Sequence, residues 1–162
     1  MLDWTRIDTV LLDMDGTLLD LHYDNHFWLE HVPRRYGEKH GLTLEESKEA
    51  LRSRYKCVEG TLYWYCVDYW TRELGLDIAQ LKQEVEHLIS VHPHVLDFLH
   101  AVRALRKRVL LVTNAHGKSL DIKFRRTQLG GHFDAVVCSH DLLVPREHGW
   151  FWHKLGAAPP FD

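Results

Sequence analysis

Apolar residues switch between two spacings along the chain. Thr9 to Leu12 form a short, partly β-branched run that stops at Asp13-Met14-Asp15-Gly16-Thr17, the pattern of a buried strand entering a polar, glycine-containing loop. From Leu19 to about Val91 the spacing is helical. Leu44, Ser47, Leu51, Tyr55, Val58 and Leu62 recur at intervals of three and four, and Thr43 with Glu46 makes a capping-box start. One long amphipathic helix is predicted there, with a weak point at Gly60. The aromatic stretch up to Trp70 continues it to a stop at Leu74-Gly75, and a further helix is predicted from Ile78 to Ile89.

Pro93 then suits the first position of a helix with an apolar stripe of Val95, Phe98, Leu99, Val102 and Leu105, closed by Arg106-Lys107-Arg108. Val109 to Val112 is a continuous apolar run ending in Thr113-Asn114-Ala115-His116, which reads as a second strand and its loop. Leu120, Phe124 and Leu129 mark a helix stopped by Gly130-Gly131. Ala135 to Cys138 is a third strand, and Pro145 opens a last helix carrying Phe151, Trp152 and Leu155. Strands alternating with helices predict an α/β fold with a parallel sheet. The expected division is a sheet core of residues 1–18 and 92–162 and a helical cap of residues 19–91.

Composition narrows the function. A chain of 162 residues can form one domain burying roughly 68–70% of its unfolded surface. Twenty Lys and Arg against 23 Asp and Glu leave a net charge of −3, which argues against nucleic acid or an anionic membrane as partner. The cluster Arg103 to Arg108 reads as a solvated helix end. Three scattered cysteines, Cys57, Cys66 and Cys138, predict a reducing compartment, with Cys57 and Cys66 as buried thiols rather than a redox pair. No apolar run approaches the roughly 20 residues of a membrane span, and the N-terminus lacks a signal-peptide pattern. A cytoplasmic location is expected.

In open α/β sheets ligands bind beyond the carboxyl ends of the strands. Asp13 and Asp15, two residues apart in a loop leaving a strand, can project into one cleft, one carboxylate to bind a metal or attack, the other to move a proton. The competing reading is a pair of turn-capping acids. His116 reads as a satisfied loop histidine, and Lys118 and Lys123 as members of a solvated helix face. The thirteen histidines show no HExxH or other tight metal spacing, the pairs His22/His26 and His92/His94 being weak.

The segment Leu11-Leu12-Asp13-Met14-Asp15-Gly16-Thr17-Leu18-Leu19-Asp20 resembles motif I of the haloacid dehalogenase-like (HAD) phosphohydrolases over ten consecutive positions. Thr113 matches the Thr or Ser of motif II, and Arg146 stands where motif III carries Lys or, less often, Arg. The helical insertion resembles a C1-type cap on a Rossmann-like core. Asp24-Asn25-His26-Phe27-Trp28, Trp64 to Trp70, Gly75 to Ile78, Thr113 to His116 and Phe151-Trp152-His153 are similar to bacterial cytosolic GMP/IMP 5'-nucleotidases.

The resemblance implies that Asp13 attacks phosphorus to form an aspartyl-phosphate. Asp15 would protonate the leaving alkoxide and then activate water. Mg²⁺ would sit on the Asp13 carboxylate and the Asp15 carbonyl. The loop amides of Met14, Asp15 and Gly16, together with Thr113, Asn114 and Ala115, would hold phosphoryl oxygens, and Arg146 would neutralise charge. The implied substrate is a small phosphorylated molecule of the purine-nucleotide type, with Trp64 or Trp70 and Phe27 or Trp28 stacking on the base; core packing is the plainer reading of that aromatic band.

The family's motif IV, an apolar strand ending in an acidic pair, has no counterpart after Arg146. Asp162 is a poor stand-in, following Pro-Pro-Phe rather than a strand. The expected consequences are weakened metal binding and a first strand with one open edge, prone to self-association. Two readings follow: a Mg²⁺-dependent phosphomonoesterase impaired by truncation, or a catalytically inactive remnant serving as a binding module. Sugar phosphates and phosphoglycolate stay open as substrates, whereas Asp15 argues against dehalogenation, since a departing halide needs no proton.

Overall fold

The computed structural model describes residues 3–157; Asp162, considered above as a ligand, lies outside them. Three parallel strands, β1 (Thr9–Leu12), β2 (Arg108–Thr113) and β3 (Ala135–Cys138), form a sheet in the order β1-β2-β3. The register pairs Leu12 with Leu111 and Thr113 with Cys138, so the loops after β1 and β2 leave the same edge side by side.

The continuous apolar run of β2 is explained by burial on both faces. Val109 and Leu111 join a large cluster with Met14, Tyr23, Phe27 and Trp70, while Leu110 and Val112 pack with Phe151 and Leu155 on the other side. β1 pairs with β2 alone among the described residues, and Leu11 is 40% exposed. The sheet is flanked by α7 (Val95–Ala104), α8 (Gly117–Thr127), the single turn α9 (Ser139–Leu142) and α10 (Gly149–Gly156).

The regular elements between β1 and α7 are all helices or helical turns. α1 (His22–His26) runs through a π-helical turn, Phe27–His31, into α2 (Val32–His40), and α3 (Leu44–Val58), α4 (Leu62–Tyr65), α5 (Val67–Leu74) and α6 (Ile78–Glu84) follow. The insertion leaves and re-enters through one neck. Leu19 pairs antiparallel with Val91, Asp20 N–H donates to Ser90 and His92 N–H donates to Leu18.

Several boundaries differ from the sequence expectation. The long helix is three: it ends at Val58, Gly60 turns the chain at φ +78°, and Cys66 adopts an extended conformation that separates α4 from α5. Cys66 Sγ accepts from Tyr69 N–H and so caps α5. The Thr43/Glu46 capping box and the left-handed Gly75 stop (φ +61°) are as predicted. Helix α6 ends at Glu84, and the remainder of the predicted 78–89 helix is a 3-10 turn, Glu86–Leu88. Pro93 stands before the cap residue His94 rather than inside α7, and Arg108 already belongs to β2. Gln128, at φ +58°, ends α8 ahead of the glycine pair. His148, not Pro145, precedes α10.

Candidate active site

The loops after β1 and β2 open into a cleft of about 180 Å³ lined by Asp13, Asp15, Thr113, Asn114, Ala115 and Arg146. The strand register brings these residues together, and Arg146 arrives from the turn before α10. Its guanidinium forks onto Asp13, with Nη1 2.9 Å from Oδ1 and Nη2 3.0 Å from Oδ2, while Nη1 also donates to the Val112 carbonyl at 3.0 Å. Such a planar, bidentate pair fixes the Asp13 carboxylate in orientation as well as charge. The buried Arg146 Nε has no hydrogen-bond partner among the described residues.

Thr113 is buried and its hydroxyl oxygen accepts from Ala115 N–H at 3.0 Å. Asn114 Oδ1 accepts from Arg146 N–H at 3.0 Å, and its Nδ2 donates to Glu147 at 2.7 Å. Gly16, at φ +77°, turns the β1 loop back so that its amide donates to the Leu19 carbonyl. The Met14 amide donates to Asp13 Oδ1 at 2.7 Å and the Met14 side chain is buried. Two of the amides expected to face a ligand are therefore engaged within the loop.

Asp15 stands in a different setting. Lys123 Nζ lies 2.6 Å from Asp15 Oδ1 and 2.7 Å from Asp24 Oδ2, and Lys82 Nζ lies 3.3 Å from Asp24 Oδ1. These four charges alternate in sign from the cleft into the interior. Both lysines are almost wholly buried, whereas Asp15 keeps 26% of its side chain exposed toward the cleft. Burial holds the Asp15 carboxyl above the ordinary range, opposed by Lys123 and reinforced by Asp24. Burial alone would raise Asp24 as well, but Lys82 and Lys123 hold it below its ordinary value. Burial lowers Lys82 to about 8, while the two carboxylates outweigh burial at Lys123 and raise it. The Lys82 ammonium also lies over the Phe27 ring, 4.3 Å from its centroid.

The finding at Lys123 corrects the solvated-face expectation. Position 123 lies three residues from Leu120 and four from Ser119, both buried, so its helical spacing carried the signal and its chemistry concealed it. Lys118 is exposed, as expected, and pairs with Asp68. Asp24, Lys82, Glu147 and Tyr65 were likewise not singled out by sequence reasoning for these contacts. Cys57 is exposed rather than buried.

Trp28, Trp64 and Tyr65 complete the cleft from the helical insertion. The π-helical turn carries Trp28, while its neighbour Phe27 points into the core. Trp70 is buried, and its Nε1 donates to the Trp64 carbonyl. An adjoining cavity of about 300 Å³, lined by Asp15, Asp24, Trp28, Tyr55, Trp64 and Trp70, continues the cleft along this aromatic wall. That volume is at the lower end of the range of small-molecule sites, roughly 300–1,000 Å³.

The model of the haloacid dehalogenase-like hydrolases matches residues 7–155. The chain is 43% identical over 155 residues to the GMP/IMP nucleotidase YrfG of Escherichia coli K12, covering 96% of this chain and 70% of that protein. Among solved structures, the HAD phosphatase from Thermococcus onnurineus superposes with a TM-score of 0.78 at 21% identity, over 91% of this chain and 69% of that one. Bacillus subtilis YfnB in a magnesium-bound form gives a TM-score of 0.63 at 16% identity, over 97% and 76%. At these identities the structures establish the fold, and the family match and the nucleotidase relative establish the class. The chain belongs to the haloacid dehalogenase-like hydrolases and is an enzyme of the phosphatase type.

Proposed function

We propose that this chain hydrolyses phosphomonoesters through an aspartyl-phosphate on Asp13, with purine 5'-nucleotides of the GMP/IMP type as its substrates. The observation that carries the reading is the arrangement of Asp13 and Asp15 on one cleft, in unlike surroundings, beside an aromatic wall. Asp13 is paired with a cation and lines the cleft, where a nucleophile must stand. Asp15, raised by its burial, suits a proton donor.

In the first step an Asp13 oxygen forms a bond to phosphorus while the ester P–O bond breaks, and Asp15 delivers its proton to the departing alkoxide. In the second, Asp15 takes a proton from water, the hydroxide bonds to phosphorus, and the bond to Asp13 breaks to release phosphate. Arg146 keeps one Asp13 oxygen neutralised as the other is freed. Thr113 and Asn114 flank the position of the phosphoryl oxygens.

The donors present suit Mg²⁺ in kind, since the Asp13 carboxylate and the Asp15 carbonyl are hard oxygens. Asp13 and the Asp15 main chain would hold the ion, which supplies charge neutralisation at the phosphoryl group when bound. Arg146 occupies both Asp13 oxygens and so competes with a cation there. The magnesium-bound relative and the family match support this reading.

Release of phosphate from GMP and IMP, set against a small aryl phosphate, tests the proposal. Mg²⁺-dependent turnover that disappears in Asp13→Asn is expected. Turnover that survives this change places the reaction elsewhere and overturns the reading. The helical insertion of residues 19–91 would act as a cap that carries substrate preference.

A further inference from the structure

Cys66, His116 and His140 are far apart in sequence, and the fold brings them together beside the cleft. One ligand atom from each, the Cys66 sulfur and a ring nitrogen of each histidine, lies within 4.8 Å of the others. Among the described residues this is the one group of three such side chains that converges. Cys66 belongs to the helical insertion, at the kink between α4 and α5. His116 caps α8 and His140 sits in α9, both on the sheet side. The two imidazoles meet edge to face, 4.9 Å between centroids.

The two histidines differ in how their nitrogens are engaged. Neither His140 nitrogen is exposed, and among the described residues neither has a well-formed hydrogen bond, although the Leu62 carbonyl faces the ring from the insertion. Leaving such groups unsatisfied is costly. His116 Nδ1 accepts from Lys118 N–H and Nε2 lies 3.7 Å from Asp68, so a metal at His116 would displace one of these two contacts. Burial holds both imidazoles below their ordinary range, which favours the neutral rings that a metal requires.

We propose that Cys66, His116 and His140 form a binding site for a borderline-soft divalent cation, with Zn²⁺ as its reference ligand, that ties the helical insertion to the sheet side of the cleft. One thiolate and two imidazoles are a donor set for Zn²⁺ or Co²⁺ and a poor one for Mg²⁺. The site is thus chemically distinct from the oxygen donors at Asp13 and Asp15. Three protein ligands leave one tetrahedral position for water. Tetrahedral coordination needs the donors drawn in by about an ångström, given Zn–S and Zn–N bonds of about 2.3 and 2.0–2.1 Å. Moving the Cys66 sulfur inward would exchange its capping contact with Tyr69 N–H for the bond to the metal. Binding would release the thiol proton and hold the insertion against the core.

Titration of the full chain with Co²⁺ in the presence of Mg²⁺ tests the site without reference to turnover. The expected result is one equivalent bound, with a thiolate-to-cobalt charge-transfer band that Zn²⁺ displaces and that persists in Cys57→Ser. Cys66→Ser and His140→Gln should lose the band or weaken affinity by at least about 10–100-fold, the loss typical of even a supporting residue. In wild type, Zn²⁺ should slow alkylation of Cys66 while the exposed Cys57 continues to react, a readout that needs no variant. A cobalt spectrum without the charge-transfer band, an unchanged band in folded Cys66→Ser, or Cys66 alkylation indifferent to Zn²⁺ each overturns the proposal. None of these outcomes depends on the identity of the phosphate ester.

Discussion

The two walls of the cleft hold their polar groups by different means. On the sheet side, Asp13 and Arg146 form a planar pair at the mouth, anchored to backbone and to Asn114. Toward the helical insertion, Asp15, Lys123, Asp24 and Lys82 form a buried alternating series against the rings of Tyr23 and Phe27. The first pair can exchange partners with solvent or ligand at modest cost. The second cannot lose a member without leaving a charge in the interior, where an uncompensated ion is far more expensive. One wall is therefore suited to reaction, and the other to maintaining the cleft and tuning Asp15.

Substitutions should separate these roles. Asp13→Asn should lower kcat/KM by about 10⁴-fold or more, as removal of a nucleophile does, with little change in melting temperature; an equal loss of stability would erase the contrast between the walls. Lys123→Met should do the reverse, destabilising the fold by roughly 3–5 kcal/mol in denaturant unfolding because Asp15 and Asp24 lose their shared cation. A stable Lys123→Met protein would show that the buried series is dispensable. Arg146→Ala should reduce kcat by about 10²–10³-fold, and Arg146→Lys should restore part of it, since charge returns without the fork.

Smaller effects belong to the insertion. Trp64→Ala should narrow the preference for GMP over a small phosphate ester by about 1–3 kcal/mol in kcat/KM, the scale of one base–aromatic contact. Unchanged discrimination would assign Trp64 to packing alone. Lys82 provides the finest test. Its value falls from 10.5 to about 8 on folding, so between these limits the unfolded chain binds more protons and the group's contribution to stability rises with pH. Thermal melts from pH 8 to 10 should rise less, or fall more, in Lys82→Met than in wild type.

The strands were legible because their signal is local and redundant. β3 coincides with its apolar run, and β2 exceeds its run by one residue at each end, Arg108 and Thr113. Thr43/Glu46 and Gly75 were legible for the same reason, each being a short-range contact or a backbone requirement. The helix break at Cys66 was not, because its capping hydrogen bond uses a residue type that rarely advertises a cap. Pro93 and Pro145 misled by lying just outside the helices they were expected to open.

Sequence alone determined the alternation of strand and helix, the carboxylates after the first strand and the resemblance that rests on Asp13 to Asp20. Only the tertiary structure decided that Lys123 and Lys82 are buried, that Arg146 forks onto Asp13, and that Cys66, His116 and His140 converge. The division has a physical cause. Hydrophobic period and turn chemistry act over a few residues and are written in order along the chain. The partner that stabilises a charge, or completes a ligand set, can come from anywhere the fold brings near: Lys123 lies 108 residues from Asp15, and Arg146 lies 133 from Asp13.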